Sequence, residues 1–216
     1  MLYFMTMNMN PVGQWRIADI GLLFVMWGIM MAGMMLPSAI PVIMLVDKLN
    51  YRRRQQSKPF TQTFYFMVGY LLAWLAYSLI ATLIQWWLHH LMILSPMMVS
   101  INTNFSAALL IFTGLYQWSP FKQKCLQLCR SPFSFISTHW KEGVAGAIRL
   151  GLKHGQYCLG CCWLLMALLF VTGVMNIKWI LILSLIVIVE KMLPKGDVLS
   201  KVLGILLLCY GFYLFL

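Results

Sequence analysis

Six long apolar runs constrain this chain more than any other feature. They span Asp19–Val46, Gln62–Leu91, Met97–Trp118, Val144–Val174, Trp179–Leu193 and Val198–Leu216. The longer ones meet the roughly 20 residues that a helix rising 1.5 Å per residue needs to cross a 30 Å hydrocarbon core. The fifth is shorter and borrows flanking residues or tilts little. Of 216 residues, 62% are hydrophobic and 10% are charged, whereas soluble domains are about a quarter charged. Water would drive that much apolar surface to aggregate or into a bilayer. Inside lipid each backbone must satisfy its own hydrogen bonds, so the runs are expected to be helices. The expected fold is all-α: one integral membrane domain over residues 1–216, a bundle of about six spans with a cytoplasmic interfacial cap near residues 119–143.

The net charge is +11, yet its placement argues against nucleic acid as a partner. The charges lie in short segments between apolar runs, with no basic stripe of interleaved aromatics outside them. Lys48, Arg52, Arg53, Arg54 and Lys58 follow the first run. Lys122, Lys124, Arg130, Lys141, Arg149 and Lys153 follow the third, and Lys191, Lys195 and Lys201 follow the fifth. With six alternating spans these 14 fall on one side, leaving Arg16 and Lys178 on the other. Basic loops stay cytoplasmic, so both termini are expected on the non-cytoplasmic side of a bacterial inner membrane. The first run is too long for a cleavable signal and lacks a basic leader and a small-residue cleavage site, so it is expected to remain in the membrane.

The residues that could carry chemistry concentrate at His154-Gly-Gln-Tyr-Cys158-Leu-Gly-Cys161-Cys162-Trp163. On a helix His154, Cys158 and Cys161 fall within an arc of about 60°, with Cys162 at one edge. Imidazole and thiolate can then converge on one ion, and soft sulfur selects copper(I) first, with zinc second. Cys125 and Cys129 share a face if their segment is helical, Pro132 ends that turn, and the charge pattern puts them on the same side as the first cluster. The two groups can thus build one site. The competing reading is that buried cysteines pack as small hydrophobes.

Met26, Met30 and Met34 step by four along the first run, flanked by Met31 and Met35. Met30, Met31, Met34 and Met35 are weaker candidate ligands, because methionine also serves as adaptable packing. Pro37 and Pro41 can kink that helix. Gly143, Ala147, Gly151 and Gly155 form a small-residue stripe suited to close helix approach. Glu190 is the one acid embedded in an apolar run, a functional candidate or half of a helix-end ion pair. Asp19, Asp47 and Asp197 read as helix-boundary residues. His89 and His90 lie at the outer end beside Trp86 and Trp87, as an interfacial feature or a weak entry point for metal. No phosphate-binding glycine loop, paired hydrolytic carboxylates or serine–histidine–aspartate arrangement stands out.

The stretch from Trp27 to Pro37, Gly114-Leu-Tyr-Gln117 with Pro120 and Lys122, Cys125–Pro132, Gly151–Trp163 with Met166, Gly173–Asn176 and Glu190-Lys191 resemble a bacterial family of predicted metal-binding integral membrane proteins, a domain of unknown function. The resemblance covers most of the chain, from Trp27 to Gly211, and Cys-Leu-Gly-Cys-Cys-Trp is its most specific element. It implies metal binding through Cys125, Cys129, His154, Cys158, Cys161 and Cys162.

The expected function is therefore soft-metal handling, copper(I) first, for delivery or transport, with the bilayer as one partner and a metallochaperone or metalloenzyme client as another. Two other classes compete with it. One is a membrane thiol–disulfide oxidoreductase using the Cys158–Cys161 C-x-x-C pair. The other is an accessory scaffold whose cysteines only pack.

Overall fold

The computed structural model describes residues 17–57, 59–91, 100, 102–193 and 196–216. Arg16, Lys58, Lys195 and the start of the third run at Met97 lie outside them. Nine helices and no strands are present among the described residues: α1 (Ile17–Gln55), α2 (Thr63–His90), α3 (Thr103–Tyr116), α4 (Pro120–Arg130), α5 (Pro132–His139), α6 (Gly143–Ala167), α7 (Leu169–Thr172), α8 (Ile177–Met192) and α9 (Gly196–Phe215). Each apolar run is helical over most of its described residues, and the segment expected to form a cap holds α4 and α5. Four stretches are long and apolar enough to cross a membrane: Ile17–Gln55, Thr63–His90, Gly143–Thr172 and Gly196–Phe215. α3 is apolar but has 14 residues, and α8 has 16.

α1 differs most from its sequence reading. It runs 39 residues, well past Val46, and continues through Pro37 and Pro41. Each proline removes one N–H from the ladder without breaking the helix. Asp47 is therefore inside a helix, not at a boundary, and its carboxylate accepts a hydrogen bond from the Thr63 hydroxyl at 3.0 Å. At 1.5 Å per residue α1 is about 58 Å long, so its last turns, with Arg52, Arg53 and Arg54, project beyond the apolar body. Its buried seam follows Trp27, Met31, Met34, Met35 and Ser38, while Met26 and Met30 are only half-buried. The methionine face is thus rotated from the expected Met26–Met30–Met34 line, because Trp27, the largest side chain in the stretch, takes the core position.

α2 and α6 form the central pair. A Cβ at Gly151 would lie 2.0 Å from the Phe66 carbonyl oxygen, and one at Gly69 would lie 2.1 Å from that of Ile148. Both helices therefore contribute the small residues that bring their backbones together, as the stripe on the fourth run foretells. α3 pairs with α9, α1 packs on α2 and α8, and α4 lies across α6. Ser119 caps α4, its Oγ accepting from the Phe121 N–H, and Pro120 and Pro132 occupy first-turn positions where no N–H is needed.

The basic segments meet at one end of the bundle. Arg53, in the last turn of α1, pairs with Glu142 before α6 and sits over the Trp140 ring at 5.4 Å. Arg130 at the end of α4 reaches Asp197 in the first turn of α9 at 3.0 Å. Lys122 and Glu190 are buried together at 2.5 Å, with Gln117 and Ser200 completing the network. Glu190 thus pairs with Lys122 of α4 rather than with its neighbour Lys191.

Candidate metal centre

The α6 helix presents His154, Cys158, Cys161 and Cys162 to the interior, all nearly solvent-free. The amphipathic helix α4 turns Cys125 and Cys129 toward it. Cys129 of α4 and Cys161 of α6 are close enough across the α4–α6 boundary to act on each other electrostatically. Cys125 lies against Gly160, where a Cβ would come within 2.7 Å of its sulfur. The structure thus brings the two cysteine groups into one neighbourhood, and the close approach depends on residue 160 having no side chain.

Cys158 is the focus of the polar contacts. Lys191 Nζ donates to its sulfur at 2.8 Å and to Ser38 Oγ at 3.0 Å. The Tyr70 hydroxyl stands 3.2 Å from the same sulfur and donates to the Met35 carbonyl at 3.1 Å. The thiols of Cys161 and Cys162 donate to the Cys158 carbonyl at 3.0 and 2.9 Å. Four sulfurs, one ammonium and one phenol therefore occupy a dry region contributed by α1, α2, α4, α6 and α8. The ammonium can serve as counter-charge to a thiolate, the form that ligates metal. On α4 the neighbouring Cys161 and then burial hold Cys129 well above the usual thiol range, and burial together with the nearby Cys161 sulfur raises Cys125.

His154 is placed differently. Its ring sits among Phe66, Tyr70 and Phe135, with centroids 6.0, 5.8 and 5.4 Å away. Its Nδ1 is buried without a hydrogen-bond partner. It occupies an aromatic box one helical turn from Cys158. Among the described residues, no three His, Cys, Asp or Glu side chains form a group that could hold a metal ion as they stand. Closing the thiols on an ion requires the bonds of Cys161 and Cys162 to the Cys158 carbonyl to be exchanged for metal–sulfur bonds.

Met31, Met34 and Met35 are buried in the same apolar cluster as the cysteines, with Met30 packed at its edge. Met166 is fully buried there too. Sequence reasoning did not single out Tyr70 or Ser38, and it noted Lys191 beside Glu190 without giving it a place at the cysteines. Lys191 reads as one more loop charge from its position, although a lysine and a glutamate adjoining inside an apolar run was a usable signal. Tyr70 and Ser38 give no comparable sign, because what matters is which helix they face.

Fold and site together define a helical protein that gathers soft sulfur donors in a dry interior. The sequence profile of the PpoB2 family, described as a copper chaperone, matches residues 24–214, and the chain belongs to that family. No curated protein and no solved structure matches the chain.

Proposed function

We propose that this protein is a single integral domain of the bacterial inner membrane that captures copper(I) and passes it to a client metalloprotein. Six spans, with α3 and α8 joining the four longer stretches, place both termini on the non-cytoplasmic side. Outward-facing residues such as Ile29, Leu79, Leu181 and Leu206 are large, apolar and exposed, which suits contact with lipid chains. The meeting of all three basic segments at one end suits a cytoplasmic face.

The observation that carries the metal reading is the placing of Cys125 of α4 against Gly160 of α6, which puts both cysteine groups in one buried cluster, beside a Cys158 sulfur that accepts from the Lys191 ammonium. Cys158, Cys161 and Cys162 capture the ion, with His154 as a further ligand once its ring turns. Cys125 and Cys129 on the cap exchange it with the client. Copper is cargo here, and thiolate with thioether donors favours copper(I) over harder ions, with zinc the second candidate. The family description, copper chaperone, supports the same ion.

Elemental analysis of protein purified under reducing conditions tests this reading. Wild type retains copper, and the Cys158→Ser, Cys161→Ser double variant retains background amounts. Equal copper in both, or none in wild type, removes the site. Thiol labelling supplies the rival outcome: the Cys158–Cys161 adjacency also suits disulfide exchange, and a shift in labelling between oxidant and reductant without bound metal would favour an oxidoreductase.

A further inference from the structure

The inner face of α2 carries a line of buried residues at intervals of three or four: Tyr70, Trp74, Ser78, Thr82, Gln85 and His89. All lie on one side of the helix. From Tyr70 to His89 the line extends about 28 Å at 1.5 Å per residue, close to the ~30 Å depth of a hydrocarbon core. The hydroxyls of Ser78 and Thr82 donate to the carbonyls of Trp74 and Ser78 at 2.9 and 2.8 Å. They therefore add polar surface to the interior without leaving a hydrogen bond unmade.

Two sulfur lines converge on the same interior. On α1 it is Met31, Met34 and Met35, with Trp27 above them. On α6 it is Cys158, Cys162 and Met166, four residues apart, each at most 1% exposed. The seam is pinned at both ends. At one end Tyr70 links the Met35 carbonyl with the Cys158 sulfur. At the other the Trp27 indole N–H donates to Gln85 Oε1 at 2.5 Å, and the Trp27 ring meets Phe170 at 5.4 Å, next to α6. Trp27, the three methionines, Met166 and the cysteines belong to one continuous apolar cluster.

We propose that this seam between α1, α2 and α6 is the path by which a singly charged soft ion travels from the His89 end to the Cys158 cluster. The inference rests on the metal-handling reading above and adds a route and a direction to it. Neutral thioethers hold copper(I) weakly enough to release it, and thiolates hold it more firmly, so the ligand gradient runs toward Cys158. Passage is ligand exchange. The ion stays copper(I), a copper–thioether bond breaks as a copper–thiolate bond forms, and the displaced thiol proton leaves to water at the basic end. Methionine suits such a seam, since its flexible side chain can part and repack around the ion.

The test uses the full chain in vesicles of phosphatidylethanolamine and phosphatidylglycerol, with a copper(I)-specific dye trapped inside and ascorbate-reduced copper outside. The Met31→Leu, Met35→Leu double variant keeps the core volume, and Met44→Leu, at an exposed position on α1, is its control. The double variant is expected to slow dye coloration at least about tenfold, a barrier change of about 1.4 kcal/mol, while the control stays as in wild type. Should the double variant melt early, Met31→Leu alone carries the measurement. Coloration at the wild-type rate in the variants, or no faster with wild type than with empty vesicles, overturns the path and leaves the metal centre standing. A wild-type protein that binds no copper in detergent removes the metal centre itself.

Discussion

The Lys191 ammonium lies 2.8 Å from the fully buried Cys158 sulfur and 3.0 Å from the Ser38 hydroxyl, with its own side chain half-buried. A buried ammonium is costly unless a charge or several acceptors receive it. Cys158 is thereby tied to α1 and α8 as well as to its own helix.

Removing that ammonium tests its share in metal retention. In Lys191→Met the sulfur can take a proton, so no unpaired charge is left and the fold persists. A bound thiolate complex then loses its counter-cation. Hydrogen bonds to charged groups contribute about 1.5–3 kcal/mol, so copper affinity is expected to fall about tenfold to a hundredfold in competition with a copper(I) chelator. Unchanged affinity would show that Lys191 only holds the helices together.

The Lys122–Glu190 pair makes a stability prediction. Both side chains are almost completely buried, and removing one partner of such a pair costs about 3–5 kcal/mol. Lys122→Met should lower the melting temperature in detergent markedly. Lys122→Met combined with Glu190→Leu should recover most of the loss, because no unpaired charge remains.

Glycine substitutions should separate by location. Gly151→Ala and Gly69→Ala each force a methyl into a backbone carbonyl across the α2–α6 seam and should cost at least about 1–3 kcal/mol through displaced backbone. Gly33→Ala on α1 meets nothing within 4 Å. It should be neutral or add up to about 1 kcal/mol, since alanine is the better helix former. Thermal unfolding in one detergent ranks the three.

Cross-linking reads the α4–α6 junction directly. In a Cys125→Ser, Cys158→Ser, Cys162→Ser background, mild oxidation should join Cys129 to Cys161, which lie in the same buried cluster, and leave the exposed Cys209 out of the product. Peptide mapping that finds Cys209 linked, or Cys129 unlinked, would place α4 elsewhere.

The six apolar runs settled by themselves that the chain is helical and roughly where its apolar helices lie, because a long apolar segment has few other ways to satisfy its backbone. The i, i+4, i+7 spacing likewise put His154, Cys158 and Cys161 on one face of α6, a matter of local geometry alone. The small-residue stripe identified the face of α6 against which another helix closes.

Rotation and partner choice needed the tertiary structure. Trp27 claimed the core and turned the methionine face of α1, and Asp47 fell at an exposed position within the helix because α1 ran on past it. Glu190 found Lys122 rather than its own neighbour, and Lys191 swung to Cys158. His154, which shares a helix face with the cysteines, ended in an aromatic box because α2 and α5 supply Phe66, Tyr70 and Phe135 at that level. Periodicity along one helix fixes which side chains point the same way. What they point at depends on packing between segments far apart in the chain, and no local pattern encodes that.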